Sequence, residues 1–139
     1  MSRRKGRILA FQALYAREAG AEAELLYSFS WAEPESLEKT GETGLTFARL
    51  LVAGTIEHMV EIDDVIKTHL QKNWDFSRLN KVDLAILRIS VFPLLYQKDL
   101  HPTIVIDEAV SIAKIYSGDE SYKFINAILD AIRKDVCAA

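Results

Sequence analysis

Large apolar residues recur along this chain at intervals of three and four, which gathers them on one face of an α-helix, and nothing alternates with period two for long. Ile8, Phe11, Leu14 and Tyr15 mark a first helix that Ser2 can cap and that runs to about Ala19. Leu25, Leu26 and Phe29 predict a second, acidic helix over 21–31, with Pro34 marking its end. From Glu33 to Gly44 the apolar content is low, and Pro34, Gly41 and Gly44 make this stretch read as the main surface loop and the most expendable segment. Thr43 then caps a long apolar-periodic segment through Leu70, either one helix or two. Gly54 and the Asp63-Asp64 doublet permit a break, expected near Val60 to Ile62.

Asn73 to Ser77 is a turn carrying two large aromatics, Trp74 and Phe76. The helix predicted over 79–97 is apolar nearly all round, as a helix packed on several sides must be. Pro93 within it removes one backbone hydrogen bond and predicts a kink, or an end soon after. Pro102 opens a further helix in which Ile106, Ala109, Val110 and Ala113 align. Ser117 followed by Glu120 has the spacing of a capping box and opens a last helix through Val136. The expected fold is all-α, with six or seven helices.

A length of 139 residues suits about one domain, and with half the residues hydrophobic and 27% charged the chain has the balance of an ordinary folded protein. Its single cysteine, Cys137, excludes an intrachain disulfide and a two-thiolate metal site, so a reducing, cytoplasmic address is the expectation. The longest runs without a charged residue, Ile8 to Ala16 and Ile89 to Gln97, are nine residues each, about half of what spans a bilayer. Arg3, Arg4 and Lys5 ahead of an apolar run imitate a secretory leader. Arg7, Gln12 and the helical spacing of the large residues instead favour a folded amphipathic helix.

The net charge of −3 conceals a sorting along the chain: residues 1–7 hold four cations and no anion, whereas Glu18 to Glu42 hold seven glutamates against Lys39 alone. Cations at a helix N-terminus oppose the macrodipole by a few tenths of a kcal/mol each, roughly, so helix stability does not explain them. A solvated, frayed terminus is the plain alternative to a binding role.

Strong catalytic and nucleotide-binding motifs are missing: there is no GxxxxGK, GxGxxG, HExxH or GxSxG. His58, His69 and His101 lack metal-site spacing and read as surface or capping residues. The acidic doublets Asp63-Asp64, Asp107-Glu108 and Asp119-Glu120 point their members about 100° apart on a helix and so do not share an acid–base site; solvated faces and helix caps explain them better. Arg88, in the most apolar helix, demands a carboxylate partner, for which Asp107 and Glu108 are the candidates.

Taken together, these residues resemble the NusB family of transcription antitermination factors. The resemblance is carried by Ser2-Arg3-Arg4-Lys5 with Gln12-Ala13-Leu14-Tyr15, by Leu51-Val52-Ala53-Gly54, by Asn73-Trp74, and by the run from Arg78 to Arg88. It continues through Ile106 to Val110 and Ser117 to Asn126, in the family's order. It implies two small helical subdomains, about 2–60 and 61–136, with no catalytic activity and no cofactor. It further implies binding to the boxA element of nascent RNA together with the small-subunit ribosomal protein that acts as NusE. Other Nus factors and RNA polymerase complete that assembly, in the bacterial cytoplasm.

Residue by residue, the family's RNA contacts fall on Arg3, Arg4, Lys5 and Arg7, and also on His69, Lys72, Glu120, Lys123 and Phe124. Phosphate would neutralise the cations, and Phe124 or Trp74 would offer a ring for stacking, although core packing suits Trp74 better and Glu120 serves equally as a cap. Tyr15 and Asp83 match positions that meet the ribosomal protein, and a cationic partner would account for an acid on so apolar a helix. Two departures stand out: Pro93 where a polar helix former is common, and Gly6, where alanine is usual and whose effect here would be to loosen the basic segment.

A related helical domain occurs fused to RNA cytosine methyltransferases, for which this chain has no room. A module that dimerises through its first helix, covering the arginines, is the remaining alternative.

Overall fold

The computed structural model describes residues 2–70 and 75–136, and among them it contains seven α-helices, one short 3-10 turn and no strand. The helices are α1 (Ser2–Glu18), α2 (Ala23–Ser28), α3 (Pro34–Glu57), α4 (Met59–His69), α5 (Lys81–Tyr96), α6 (Pro102–Tyr116) and α7 (Asp119–Val136). No helix is long and apolar enough to cross a membrane.

Every residue of α5 from Asp83 to Leu94 is buried, because α1, α3, α4, α6 and α7 all pack against it. That encirclement is why its apolar residues show no preferred face. The helix continues through Pro93 and ends three residues later at Tyr96, where the Gln97 amide donates to the Pro93 carbonyl. Around this axis α1 lies along α3, and α6 pairs with α7. Gly6 does not loosen α1. It lets the two backbones approach so closely that a Cβ there would lie 2.6 Å from the Gly44 carbonyl oxygen.

The segment expected to be the main loop is largely helical. α3 begins at Pro34, in the first-turn position where a missing N–H costs nothing, and it bends at Gly41, whose φ of 72° and ψ of 170° are non-helical. Leu37 and Leu45 pack against the core on either side of the bend, so the segment is anchored rather than expendable. The second helix is shorter than expected. It stops at Phe29, which takes a left-handed φ of 54° and is fully buried beneath Trp31 and the Arg49 guanidinium. The α3–α4 break falls at His58, ahead of the expected Val60–Ile62, where the imidazole stacks on Tyr96 with ring centroids 4.0 Å apart.

Arg88 is the one cation buried within α5. Its guanidinium donates from Nε and Nη2 to the two oxygens of Asp63, both at 2.9 Å, and from Nη1 to Glu18 at 2.9 Å. The expected partners Asp107 and Glu108 lie elsewhere: α6 occupies another side of α5, and Arg88 points toward the α1–α4 junction. Burial alone would lower the affinity of Arg88 for its proton, but the bonds to Asp63 and Glu18 outweigh it and the net shift is upward.

Replacing Arg88 with Met leaves Asp63 and Glu18 facing each other without a cation, and we expect a loss of about 3 kcal/mol in unfolding free energy by urea titration. Adding Asp63→Leu to that variant should restore much of the loss, because an apolar pair replaces an uncompensated charge.

Candidate nucleic-acid interface

The first turn of α1 contains no acid, and Arg3, Arg4 and Lys5 are exposed along it. Arg7, one turn further on, is only 6% exposed. The anion missing from this turn comes from α6: Glu108 lies 3.4 Å from Arg4 Nε and 3.5 Å from Arg7 Nη1. Both Arg3 and Arg7 place their guanidinium carbons 5.2 Å from the centre of the Phe47 ring, within range of a cation–π attraction. Burial lowers the proton affinity of Arg7, the Glu108 carboxylate opposes that, and the like charge of Arg3 adds to it. Arg7 Nε is buried without an acceptor among the described residues. The basic end of α1 is therefore a built surface, not a frayed terminus: Arg7 anchors it beneath, while Arg3, Arg4 and Lys5 face solvent.

A cleft formed by the start of α5 and the start of α7 brings together Asp83, Glu120, Lys123 and Phe124, with Arg78 on its rim. Here the sequence-derived residues of α7 meet, as an open pocket of about 500 Å³. Lys123 and Glu120 approach at 4.0 Å on the exposed surface, a weak pair that leaves the lysine available to another anion. Phe124 is half-buried.

Asp83 lies at the base of this cleft and is 6% exposed. Its carboxylate accepts from Ser117 Oγ at 2.6 Å, from Ser121 Oγ at 3.2 Å and from Asn80 Nδ2 at 3.1 Å. These three donors account for the acid within the chain, where a cationic partner had been expected to do so. They also explain why Ser117 forms no capping box with Glu120: its hydroxyl is turned to Asp83, and Ser117 instead ends α6.

His69 stands at the end of α4. Its Nδ1 is 2.8 Å from the Val65 carbonyl oxygen and its Nε2 is 2.5 Å from Asp135. Both ring nitrogens thus face acceptors and are engaged with α4 and α7. His101 caps α6, as its sequence context suggested. Lys72 and Trp74 fall outside the described residues. Tyr15, at the far end of α1 from Arg3, Arg4 and Arg7, is 41% exposed. One turn earlier in α1, Phe11 packs against Tyr116, with ring centroids 5.1 Å apart, and Tyr116 accepts a hydrogen bond from Gln12 at 3.4 Å. Sequence reasoning missed Phe47, Glu108 as the partner of Arg4 and Arg7, and Tyr116. The aromatics sit at ordinary core spacing, and only the fold brings Glu108 to α1.

A family model described as the NusB family matches residues 4–134. The chain belongs to the NusB family. A relative from Treponema denticola, a transcription antitermination protein NusB, is 52% identical over 134 residues, covering 96% of this chain and 96% of its own length. Among solved structures, T. maritima NusB is 35% identical with a TM-score of 0.81, covering 96% of this chain and 91% of that one. A chain in the crystal structure of antitermination factors NusB and NusE in complex with dsRNA is 29% identical, with a TM-score of 0.81, covering 96% of this chain and 97% of that one. The NusB family is one of transcription antitermination factors, and the all-α architecture inferred from periodicity is the architecture of these neighbours.

Glu108→Gln leaves Arg7 charged, buried and short of its counter-ion. We expect it to lower unfolding free energy by about 1–3 kcal/mol in a denaturant titration, without altering helix content by circular dichroism.

Proposed function

We propose that this chain is a transcription antitermination factor that binds the boxA element of nascent ribosomal RNA together with the ribosomal protein acting as NusE. It works within the Nus complex on RNA polymerase, in the cytoplasm, and by binding rather than catalysis. The observation that carries the reading is the basic end of α1, where Arg3, Arg4 and Lys5 are exposed and Arg7 is fixed beneath them against Phe47 and Glu108. Three solvent-facing cations opposed to the helix dipole are stabilised by phosphate, and releasing counterions from the RNA makes that binding salt-dependent.

Lys123 and Phe124 extend the RNA surface at the α5–α7 cleft, the first as a phosphate partner and the second as a partly covered ring. Lys72 is carried over from the family resemblance, as are Glu120 and His69. Glu120 and His69 act by shaping the surface, since an acid repels phosphate and His69 is engaged with Asp135. For the ribosomal protein, Tyr15 presents an apolar body and a polar tip. Asp83 contributes from the base of the cleft, holding Ser117 and Ser121 where a partner meets them. The subdomains about 2–60 and 61–136 then divide the labour, the first carrying the arginines and Tyr15, the second the cleft.

The test is a salt titration of binding to single-stranded boxA RNA, a scrambled RNA of equal length and a boxA duplex, with and without the ribosomal protein. Arg3→Glu/Arg4→Glu should weaken boxA binding at least tenfold at about 0.1 M salt and flatten the salt dependence by about 0.7 per lost phosphate contact. Tyr15→Asp should leave binding of RNA alone unchanged and abolish the enhancement by the partner. Equal binding of the parent to boxA and scrambled RNA, unchanged by the partner, would refute the reading.

A further inference from the structure

We propose that the groove between α6 and α7 is an RNA subsite, in which Tyr122 stacks on a base of the bound strand and Lys114 pairs with its phosphate. The proposal rests on the RNA reading above and extends it to residues outside the surface assigned there.

The groove is open and has a volume of about 450 Å³, within the range of small-ligand pockets. Asp107, Ser111 and Lys114 form one wall, and they follow one another at i, i+4 and i+7 along a single stripe of α6. Tyr122, Lys123 and Asn126 of α7 form the other.

Its position matters first. Lys123 lines both this groove and the α5–α7 cleft that holds Phe124. On the other side, α6 reaches α1 through Glu108, which meets Arg4 and Arg7 one turn before Ser111. The two groups of residues assigned to RNA thus flank α6. A strand that passes over α6, a helix roughly 10 Å across, from Arg4 to Phe124 meets the groove beside Lys123.

Its chemistry suits a nucleotide. The half-buried Tyr122 ring has the Lys114 ammonium 4.7 Å from its centre, so an aromatic face and a cation are held together, as single-stranded nucleic acid sites require. Ser111 and Asn126 make no side-chain hydrogen bond to a described residue and are free to meet a base edge or a 2′-hydroxyl. The lone acid, Asp107, keeps phosphate away from its own end of the groove and toward Lys114 and Lys123.

The experiment measures binding of the intact chain to boxA-containing single-stranded RNA for the parent and for Tyr122→Leu, Tyr122→Phe and Lys114→Gln, with partner-protein affinity measured in parallel. Tyr122→Leu should bind RNA about tenfold more weakly, while Tyr122→Phe, which keeps the ring, should stay within about twofold. Lys114→Gln, at an exposed position that does not endanger folding, should weaken binding and reduce the salt slope by about 0.7. A parent that binds RNA with Tyr122→Leu and Lys114→Gln unchanged would overturn the subsite and leave the RNA reading intact. Loss of partner-protein affinity with RNA binding unchanged would overturn it in favour of a protein contact. A parent that binds no RNA would overturn both.

Discussion

Arg88 reaches from the centre of the molecule to Asp63 on α4 and Glu18 at the end of α1, and the positions of three helices depend on that junction. A guanidinium so nearly buried is stable only with its donors occupied, so α1 and α4 are held at defined points along α5. Apolar packing alone tolerates sliding. A bidentate bond to one carboxylate and a single bond to another does not. The junction thereby sets the placement of α1, and with it the basic end three turns away.

That basic end uses a second ion cluster with a different balance. Arg88 has three donors matched to carboxylates, whereas Arg4 and Arg7 share the single acid Glu108 at distances of 3.4 Å and 3.5 Å. Arg3 and Lys5 form no ion pair among the described residues. The core cluster is closed and serves stability. The surface cluster is left with excess positive charge, which is what a polyanion recognises. In each of two acidic doublets the members divide accordingly: Asp63 and Glu108 turn inward to arginines, while Asp64 and Asp107 stay on the surface.

Helices were legible because burial on one face leaves a periodic record, and α5 was legible as the core because its record has no gaps. Two things were not. The stretch 33–44 has few apolar residues and three helix-breaking ones, yet Pro34 falls where proline starts a helix and Gly41 where the chain bends. A proline or glycine marks a departure from regularity without saying whether the helix resumes. The ion partners were also hidden. Arg88 plainly needs a carboxylate, but whether Asp63, Asp107 or Glu108 supplies it depends on which side of α5 each helix occupies, and no local pattern encodes that. Within the candidate interface, charge and helix-dipole reasoning marks the arginines as unexplained by helix stability but leaves a frayed terminus open, and family likeness is what assigns them to RNA. Lys123 and Phe124 came from family likeness, and Phe47, Glu108 and Tyr116 emerged only when α1, α3 and α6 were brought together.

α1 carries Arg4 near one end and Tyr15 near the other, eleven residues apart on one helix. At the rise of an α-helix that separation is about 17 Å, shorter than the width of a small domain. On the proposed reading, the helix is a ruler that seats the nucleic acid and the ribosomal protein side by side. Each raises the local concentration of the other, and the two can touch directly. Cooperative assembly then requires no change of shape in this chain, only a rod stiff enough to keep its two cargoes in reach.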